Sequence, residues 1–352
     1  MKKIIAVLLA LVLLCGAVLL SSCTANRDPY HYYDLPPNFA PAARLPDDAI
    51  IHNDETGIPD ATLYLAVLRA IDRGRAWQFE TTGEGVFTAG EAAAITSITI
   101  IPAAVHVRGF ENDDSESPDL SLQPRRNLRG IEHLRNLEEL RMDEKCGVNW
   151  TSLSGGLDCF SELRRLEHLP HLRMLCFLSV YTMNGEGERE FLRDLRPLRN
   201  LTQLTSLRIS GLTSLDGIQN LTDLEYLSVW GMLSDLRGIE RLTNLRNLHV
   251  SGGELTNLDE VRNLVNLTSL WAPNNQLTDI SAVVRLPNLQ DLGVARNQLE
   301  TLPDLTVTNL QPSNTCFRGN RLSREEFERN LPASLLEAND GRWLESHLDQ
   351  QR

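Results

Sequence analysis

Leucine returns along this chain at a fixed step. The string Asn220-Leu221-Thr222-Asp223-Leu224-Glu225-Tyr226-Leu227-Ser228-Val229 is restated 21 residues later as Arg241-Leu242-Thr243-Asn244-Leu245-Arg246-Asn247-Leu248-His249-Val250. Residues 263–272 and 285–294 restate it again, each 22 residues further on. No other feature limits the fold as strongly. A unit this short cannot bury its apolar side alone, so such units stack in a line around one continuous core.

The shared pattern, L-x-x-L-x-x-L-x-L, resembles the leucine-rich repeat. The resemblance implies an α/β solenoid. Its parallel sheet curves along the concave face, short 3₁₀ or extended segments form the convex face, and a helical cap closes each end. Nine strand-like strings can be read, beginning at Ile98, Leu140, Leu175, Leu207, Leu227, Leu248, Leu270, Leu292 and Thr315. A register three residues later, on Leu178 and Val180, also fits the third. From Leu207 the steps are 20, 21, 22 and 22 residues, whereas the first three are 42, 35 and 32. The early repeats therefore carry insertions, near 102–127, 143–162 and 178–196. Insertions in solenoids map to loops on one face, often the binding face. Asn275, Asn297 and Asn320 take the turn position after the strand, where an inward amide satisfies backbone groups that the turn leaves unpaired. Gly253, Met232 and Leu212 stand there in earlier repeats, so the ladder is incomplete.

The array is expected to span 95–322. Before it, residues 55–94 read as a helical cap. Leu63, Val67 and Ile71 are four apart, Pro59 suits a first turn, and Gly74 reads as a stop. Thr88 and Glu91 make a capping box ahead of an alanine run. The order Ile58-Pro59-Asp60, helix, Phe87-Thr88-x-x-Glu91, first strand is similar to the N-terminal cap of bacterial internalin-like repeat proteins. After Leu322, Ser323 with Glu326 makes another capping box. Phe327, Leu331, Leu335 and Leu336 give an apolar helical face, and Trp343, Leu344 and Leu348 a second short helix. Residues 323–352 read as the C-terminal cap. Both caps are needed because a terminal repeat has no neighbour to cover its core.

Residues 1–22 read as an export signal, with Lys2 and Lys3 ahead of an uncharged apolar run from Ile4 to Leu20. Leu20-Ser21-Ser22-Cys23 looks like a bacterial lipobox. That resemblance implies cleavage before Cys23 and acylation there, palmitate included. Several acyl chains on one residue hold a protein firmly on a membrane, whereas one holds it only marginally. An uncleaved anchor, or an ordinary signal cut near Ala25, is the alternative. Thr24 rather than Asp follows Cys23, which within this resemblance favours the outer membrane or cell surface. Residues 23–54, with Pro29, Pro36, Pro37, Pro41 and Pro46, read as a Pro-rich tether from the lipidated Cys23. Roughly 30 residues at about 3.1 Å each reach up to about 90 Å.

The formal charge of −13 argues against nucleic acid, whose binding rests on Lys and Arg neutralising phosphates. The sequence has no Gly-rich phosphate loop, nucleophile elbow or zinc-protease helix. His168 and His171 stand three apart near Cys176, without a second ligand pair at zinc spacing. No enzymatic activity, no metal and no cofactor are expected. The acidic run Glu111-Asn112-Asp113-Asp114-Ser115-Glu116 lacks the spacing and the Gly of a calcium loop. Cys146 and Cys159 bracket the second insertion, either as a disulfide or as two thiols. Cys176 and Cys316 fall mid-strand six strands apart, roughly 29 Å at about 4.8 Å per step. A disulfide spans at most about 7 Å, so both are expected as thiols.

In each L-x-L the leucines face the core, while the x and the residues just outside the pair face the concave side. Tyr226, Trp230, His249 and Trp271 thereby fall on that face in three successive repeats, with Arg208 and Arg141 earlier along it. Large aromatics on a solvent face need a reason, and interfaces use them as anchors. The competing explanation is that the N-terminal insertions fold back over them. The expected protein is a monomeric, membrane-anchored extracytoplasmic lipoprotein whose concave face binds a protein or peptide, in host or cell–cell contact. A periplasmic structural or inhibitory lipoprotein acting on a partner in the same envelope is the second reading.

Overall fold

The computed structural model describes residues 44–54, 57–59, 61–83, 85–100, 128–142, 148–151, 159–177, 180–183, 189–339 and 341–351. The signal, Cys23, most of the tether, the first insertion and Cys146 lie outside them. Among the described residues no helix is long and apolar enough to cross a membrane.

The N-terminal cap starts earlier than the sequence suggests. Strand β1 (Ile50–Ile51) pairs antiparallel with β2 (Phe87–Thr88), so the tether does not run to residue 54. Ile51 is buried, and burying an apolar pair outweighs the polar character of its neighbours. Between the two strands lie α1 (Ala61–Ile71) and α2 (Arg73–Thr82). Tyr64 joins them to the strands, donating its hydroxyl to the carbonyls of Ile51 (2.9 Å) and Gly85 (2.8 Å). Gly74 is not a stop. Asp72 caps α2 by accepting from the N–H groups of Gly74 and Arg75, which places Gly74 in the first turn of a new helix. An Asp N-cap is stabilising there by about 1 kcal/mol, as much as a glycine costs. Helix α3 (Ala89–Ala93) then opens on a reciprocal Thr88–Glu91 capping box.

The nine expected strands are all present and form one parallel sheet. In chain order they are β3 (Ser97–Ile100), β4 (Glu139–Met142), β6 (Met174–Phe177), β9 (Ser206–Leu212), β10 (Tyr226–Gly231), β11 (Asn247–Ser251), β12 (Ser269–Trp271), β13 (Asp291–Gly293) and β14 (Thr315–Cys316). Ile98, Leu140, Leu175, Leu207, Leu227, Leu248, Leu270, Leu292 and Thr315 pair in one unbroken row. Each of them is at most 4% exposed. The later register for the third string is therefore excluded. The convex side is built of 3₁₀ segments, such as Ile218–Asn220, Ile239–Arg241 and Asp259–Asn263. Their Ile218, Ile239 and Val261 complete the same core.

Backbone pairing between coils repeats as regularly. The Thr205 carbonyl accepts from both Glu225 and Tyr226, the Glu225 carbonyl from Arg246 and Asn247, and the Arg246 carbonyl from Thr268 and Ser269. Two amide ladders reinforce it. The inner ladder consists of Asn275, Asn297 and Asn320, all buried. Asn297 accepts from Leu277 N–H (3.0 Å) and donates to the carbonyls of Ala272 and Val294 (2.9 Å each). An outer ladder runs through Asn136, Asn244, Asn266 and Asn288, each donating to a carbonyl of the preceding coil. Gly217 shows why the coils pack so closely. Its φ is +102°, and a Cβ there would lie 2.5 Å from the Leu195 backbone.

The insertions are not simply loops. β5 (Val148–Thr151) pairs parallel with β7 (Val180–Met183), which pairs antiparallel with β8 (Arg189–Phe191). The second and third insertions thus make a small mixed sheet of their own. Val180, the alternative register's candidate, belongs to it. Residues 192–196 return to the ordinary repeat, with Leu192 and Leu195 buried. A 3₁₀ segment at Cys159–His168 begins inside the second insertion.

At the far end, α4 (Arg324–Asn330), α5 (Ala333–Leu336) and α6 (Arg342–Leu348) cover the last coil. Phe317, Phe327 and Trp343 meet edge to face at 5.9–6.5 Å. His347 stacks on Trp343 at 3.9 Å, with its Nδ1 2.7 Å from the Trp343 carbonyl.

Replacing Asn297 with Ala leaves one amide and two carbonyls in the core without that partner. At about 1–3 kcal/mol for a buried unsatisfied group, a loss of about 3 kcal/mol is expected. It should appear as a lower denaturant midpoint at unchanged slope.

Burial holds the pKa values of His133, His249 and His347 below the ordinary imidazole range. Arg135, Arg208 and Arg318 push the same way, while Glu132 at His133 and the Trp343 carbonyl at His347 oppose it. The unfolded chain takes up these protons near pH 6.5, the folded chain only at lower pH. Their contribution is complete above about pH 6.5 and is lost as pH falls through the lower folded values. His347→Gln should therefore narrow the difference in denaturation midpoint between about pH 7.5 and about pH 5.5.

Candidate functional site

The leucine row fixes what the concave face displays. One residue after each of those leucines, Thr99, Arg141, Cys176, Arg208, Ser228, His249, Trp271, Gly293 and Cys316 line up across the sheet. Strands stand about 4.8 Å apart, so Arg141 and Arg208 flank Cys176 about 10 Å from each other. Cys176 and Cys316 are thiols, not halves of a disulfide. Cys159 is within the described backbone, but its proposed partner Cys146 is outside it.

The structure brings the sequence-selected residues onto neighbouring strands, in three groups. The first surrounds Arg208, whose guanidinium carbon sits 4.8 Å from the centroid of the Tyr226 ring. This is a cation–π contact, favourable by about 0.5–1 kcal/mol at an exposed site. In the second, Trp230 meets His249 edge to face, 6.0 Å between centroids. Trp230 is 39% exposed and its neighbour Met232 66%, so this end of β10 offers apolar area to solvent. Burial, aided by the nearby Arg208 charge, keeps His249 neutral further into the acid range. The third is Trp271, half-buried because its indole lies across Gly293. A Cβ at Gly293 would come within 2.1 Å of the ring.

Arg141 stands apart from the aromatics. Its Nη2 contacts Glu139 at 3.1 Å and the Met174 sulfur at 3.4 Å, and Glu139 also accepts from Ser97. Between Arg141 and Tyr226 the face opens into a recess of about 450 Å³, lined by Arg141, Met174, Cys176, Thr205, Ser206, Arg208, Glu225 and Tyr226. The sequence pattern singles out Arg141, Arg208 and Tyr226 but gives no reason to group Met174, Cys176 and Glu225 with them. Stacking the x positions of β4, β6 and β9 would have placed Cys176 between the two arginines. The recess itself needs the side-chain shapes. Among the described residues no three His, Cys, Asp or Glu side chains gather as metal ligands.

The family described as Leucine Rich repeats (2 copies) matches residues 265–307. Comparison with curated proteins finds no match. Among solved structures, internalin C2 of Listeria monocytogenes is similar at 18% identity and a TM-score of 0.48, covering 75% of this chain and 94% of that one. Internalin InlF of the same organism gives 20% and 0.39, covering 78% and 87%. A leucine-rich-repeat protein of Leptospira interrogans gives 23% and 0.39, covering 57% and 65%. The leucine-rich-repeat solenoid is established by the chain's own strand register, and such solenoids are interaction scaffolds with extended concave faces.

Gly293→Ala should lift the Trp271 indole off the sheet and red-shift its fluorescence. The same substitution in a Trp271→Phe background should leave the spectrum unmoved.

Proposed function

We propose that this chain is a lipid-anchored extracytoplasmic binding protein that takes a protein or peptide partner on its concave face. One observation carries the reading. Tyr226, Trp230, His249 and Trp271 stand on the solvent side of three adjacent strands, where nothing in the core requires them. Interfaces concentrate such aromatics, together with Arg, at their centres. A sheet locked by two amide ladders presents them with little motion left to lose on binding, which favours affinity.

The anchor rests on the order Lys2-Lys3, apolar run, Leu20-Ser21-Ser22-Cys23. Acylation at Cys23 would hold the protein on an outer membrane or cell surface, with residues 24 onward as the spacer. A monomer suffices, because the concave face is contributed by one chain. Contact with a host or neighbouring cell fits a surface position, whereas a partner within the same envelope fits a periplasmic one. Protease accessibility on intact cells separates them, since protection would sink the surface reading. Cys23→Ser should abolish incorporation of radiolabelled palmitate and release the protein from membranes.

Replacing Tyr226, Trp230 and Trp271 together with Ala should reduce partner capture from envelope and host extracts at least tenfold, with thermal unfolding little changed. Unchanged capture by a folded triple variant would remove this face as the site.

A further inference from the structure

The charges around the recess do not balance one for one. Arg141 is paired with Glu139 (3.1 Å), and Glu225 with Arg246 (3.7 Å). Arg208 remains. It is exposed at the centre of the sheet. Among the described residues its guanidinium lies over the Tyr226 ring and feels the His249 imidazole, with no carboxylate paired to it. A guanidinium carries five N–H donors in a planar fork that matches a carboxylate. Here the ring holds that fork over the recess without using any of its donors. This is the arrangement that recognises an oxyanion with little ordering left to do.

From this we infer that the recess binds the carboxylate of an acidic peptide through Arg208. The inference rests on the concave-face reading and specifies its ligand.

Two features narrow the chemistry. The chain's net charge of −13 repels anions in proportion to their charge, which favours a single carboxylate over a phosphate dianion or a nucleic acid. The face also sets the neighbouring residue. Trp230 lies one strand over and two residues along from Arg208. That diagonal is roughly 8 Å, from a strand spacing of about 4.8 Å and a two-residue rise of roughly 6.7 Å. In an extended peptide the side chains of residues i and i+2 lie on one face about 6.7 Å apart. An acidic residue on Arg208 therefore places an apolar residue two positions along against the exposed Trp230 edge. The motif is acid, any residue, apolar.

The test uses the full chain and fluorescein-labelled pentapeptides with blocked C-termini. They vary the second position among Glu, Gln, phosphoserine and Arg, and the fourth among Leu, Phe and Ser. A Glu peptide with a free C-terminus forms a separate arm. Fluorescence polarisation up to about 1 mM reads the affinities. Glu with Leu or Phe should bind about tenfold or more tighter than the Gln counterpart, the scale of a charge-assisted pair. Arg208→Gln should abolish that preference at unchanged thermal unfolding, and Arg208→Lys should keep part of it. Tyr226→Phe should leave it and Tyr226→Ala weaken it. Phosphoserine outbinding Glu, or equal binding of Glu and Gln peptides, would overturn the carboxylate. A Glu preference that survives Arg208→Gln would overturn the residue. Preference confined to the free C-terminus would move the anchor from the side chain to the chain end and overturn the motif. No binding by any peptide overturns the anchor, while capture that is lost in the triple Ala variant would still support the concave face.

Discussion

A repeat of about 21 residues has one apolar side and no means of covering it except another copy of itself. That constraint explains the unbroken row from Ile98 to Thr315. Each strand contributes one inward residue to the row and one or two more behind it. Slipping any strand by one residue would turn its leucines to solvent and its polar x residue into the core. The register is thus fixed nine times over by the same penalty. The backbone follows, because stacking at strand spacing brings each coil's N–H groups to the carbonyls of the coil before. The Asn ladders serve the turns, where the chain leaves the sheet and its polar groups lose their strand partners.

The same constraint dictates the ends. The first strand has no coil ahead of it, and α1 packs there with Leu63, Val67 and Leu68 fully buried. The last has none behind it, and Phe317 is covered instead by Phe327 and Trp343. His347 joins that cluster at the cost of a buried imidazole. Its Nε2 has no hydrogen-bond partner among the described residues, which is tolerable only while the ring stays neutral. The acid sensitivity of the chain is therefore concentrated partly at its closing helix, away from the concave face.

Periodicity made the solenoid legible in the sequence, and it also limited what could be read. The strands from Leu207 on and the inner Asn ladder recur at about the repeat length, and the earlier strings carry the same leucine pattern at wider steps, so pattern alone locates them. The outer ladder recurs too, but Asn244, Asn266 and Asn288 occupy a slot between leucines that looks freely variable, and only the carbonyl they reach gives it meaning. The mixed sheet of β5, β7 and β8 has no period. Its strands come from two insertions whose pairing no local signal encodes. Gly74 opens a helix instead of ending one because the Asp72 side chain, two residues before it, caps that first turn. At the site, alternation identified the outward residues one by one. The recess was invisible because it depends on four strands and on how Arg208 lies over Tyr226.

Stability and recognition fall on alternate residues of the same strands. The inward leucines make the core, and the x residues between them touch it little. Arg208, His249 and Trp271 could therefore be exchanged at small cost to the fold, whereas Leu207, Leu248 or Leu270 could not, since a buried leucine cut to Ala costs about 2–5 kcal/mol. A surface under so little structural demand needs no bulky aromatics and no arginine held over a ring. Four aromatic or imidazole side chains on three adjacent strands, beside an arginine that among the described residues has no carboxylate partner, fit the proposed partner face better than a structural role. Their position agrees with this. They occupy the even-length coils from β9 to β12, where the sheet is most regular and successive side chains are spaced like those of an extended peptide. The recess opens toward β4 and β6, where the insertions leave and rejoin the array. A ligand lying across that seam would meet the rigid ladder on one side and the chain's most individual segments on the other.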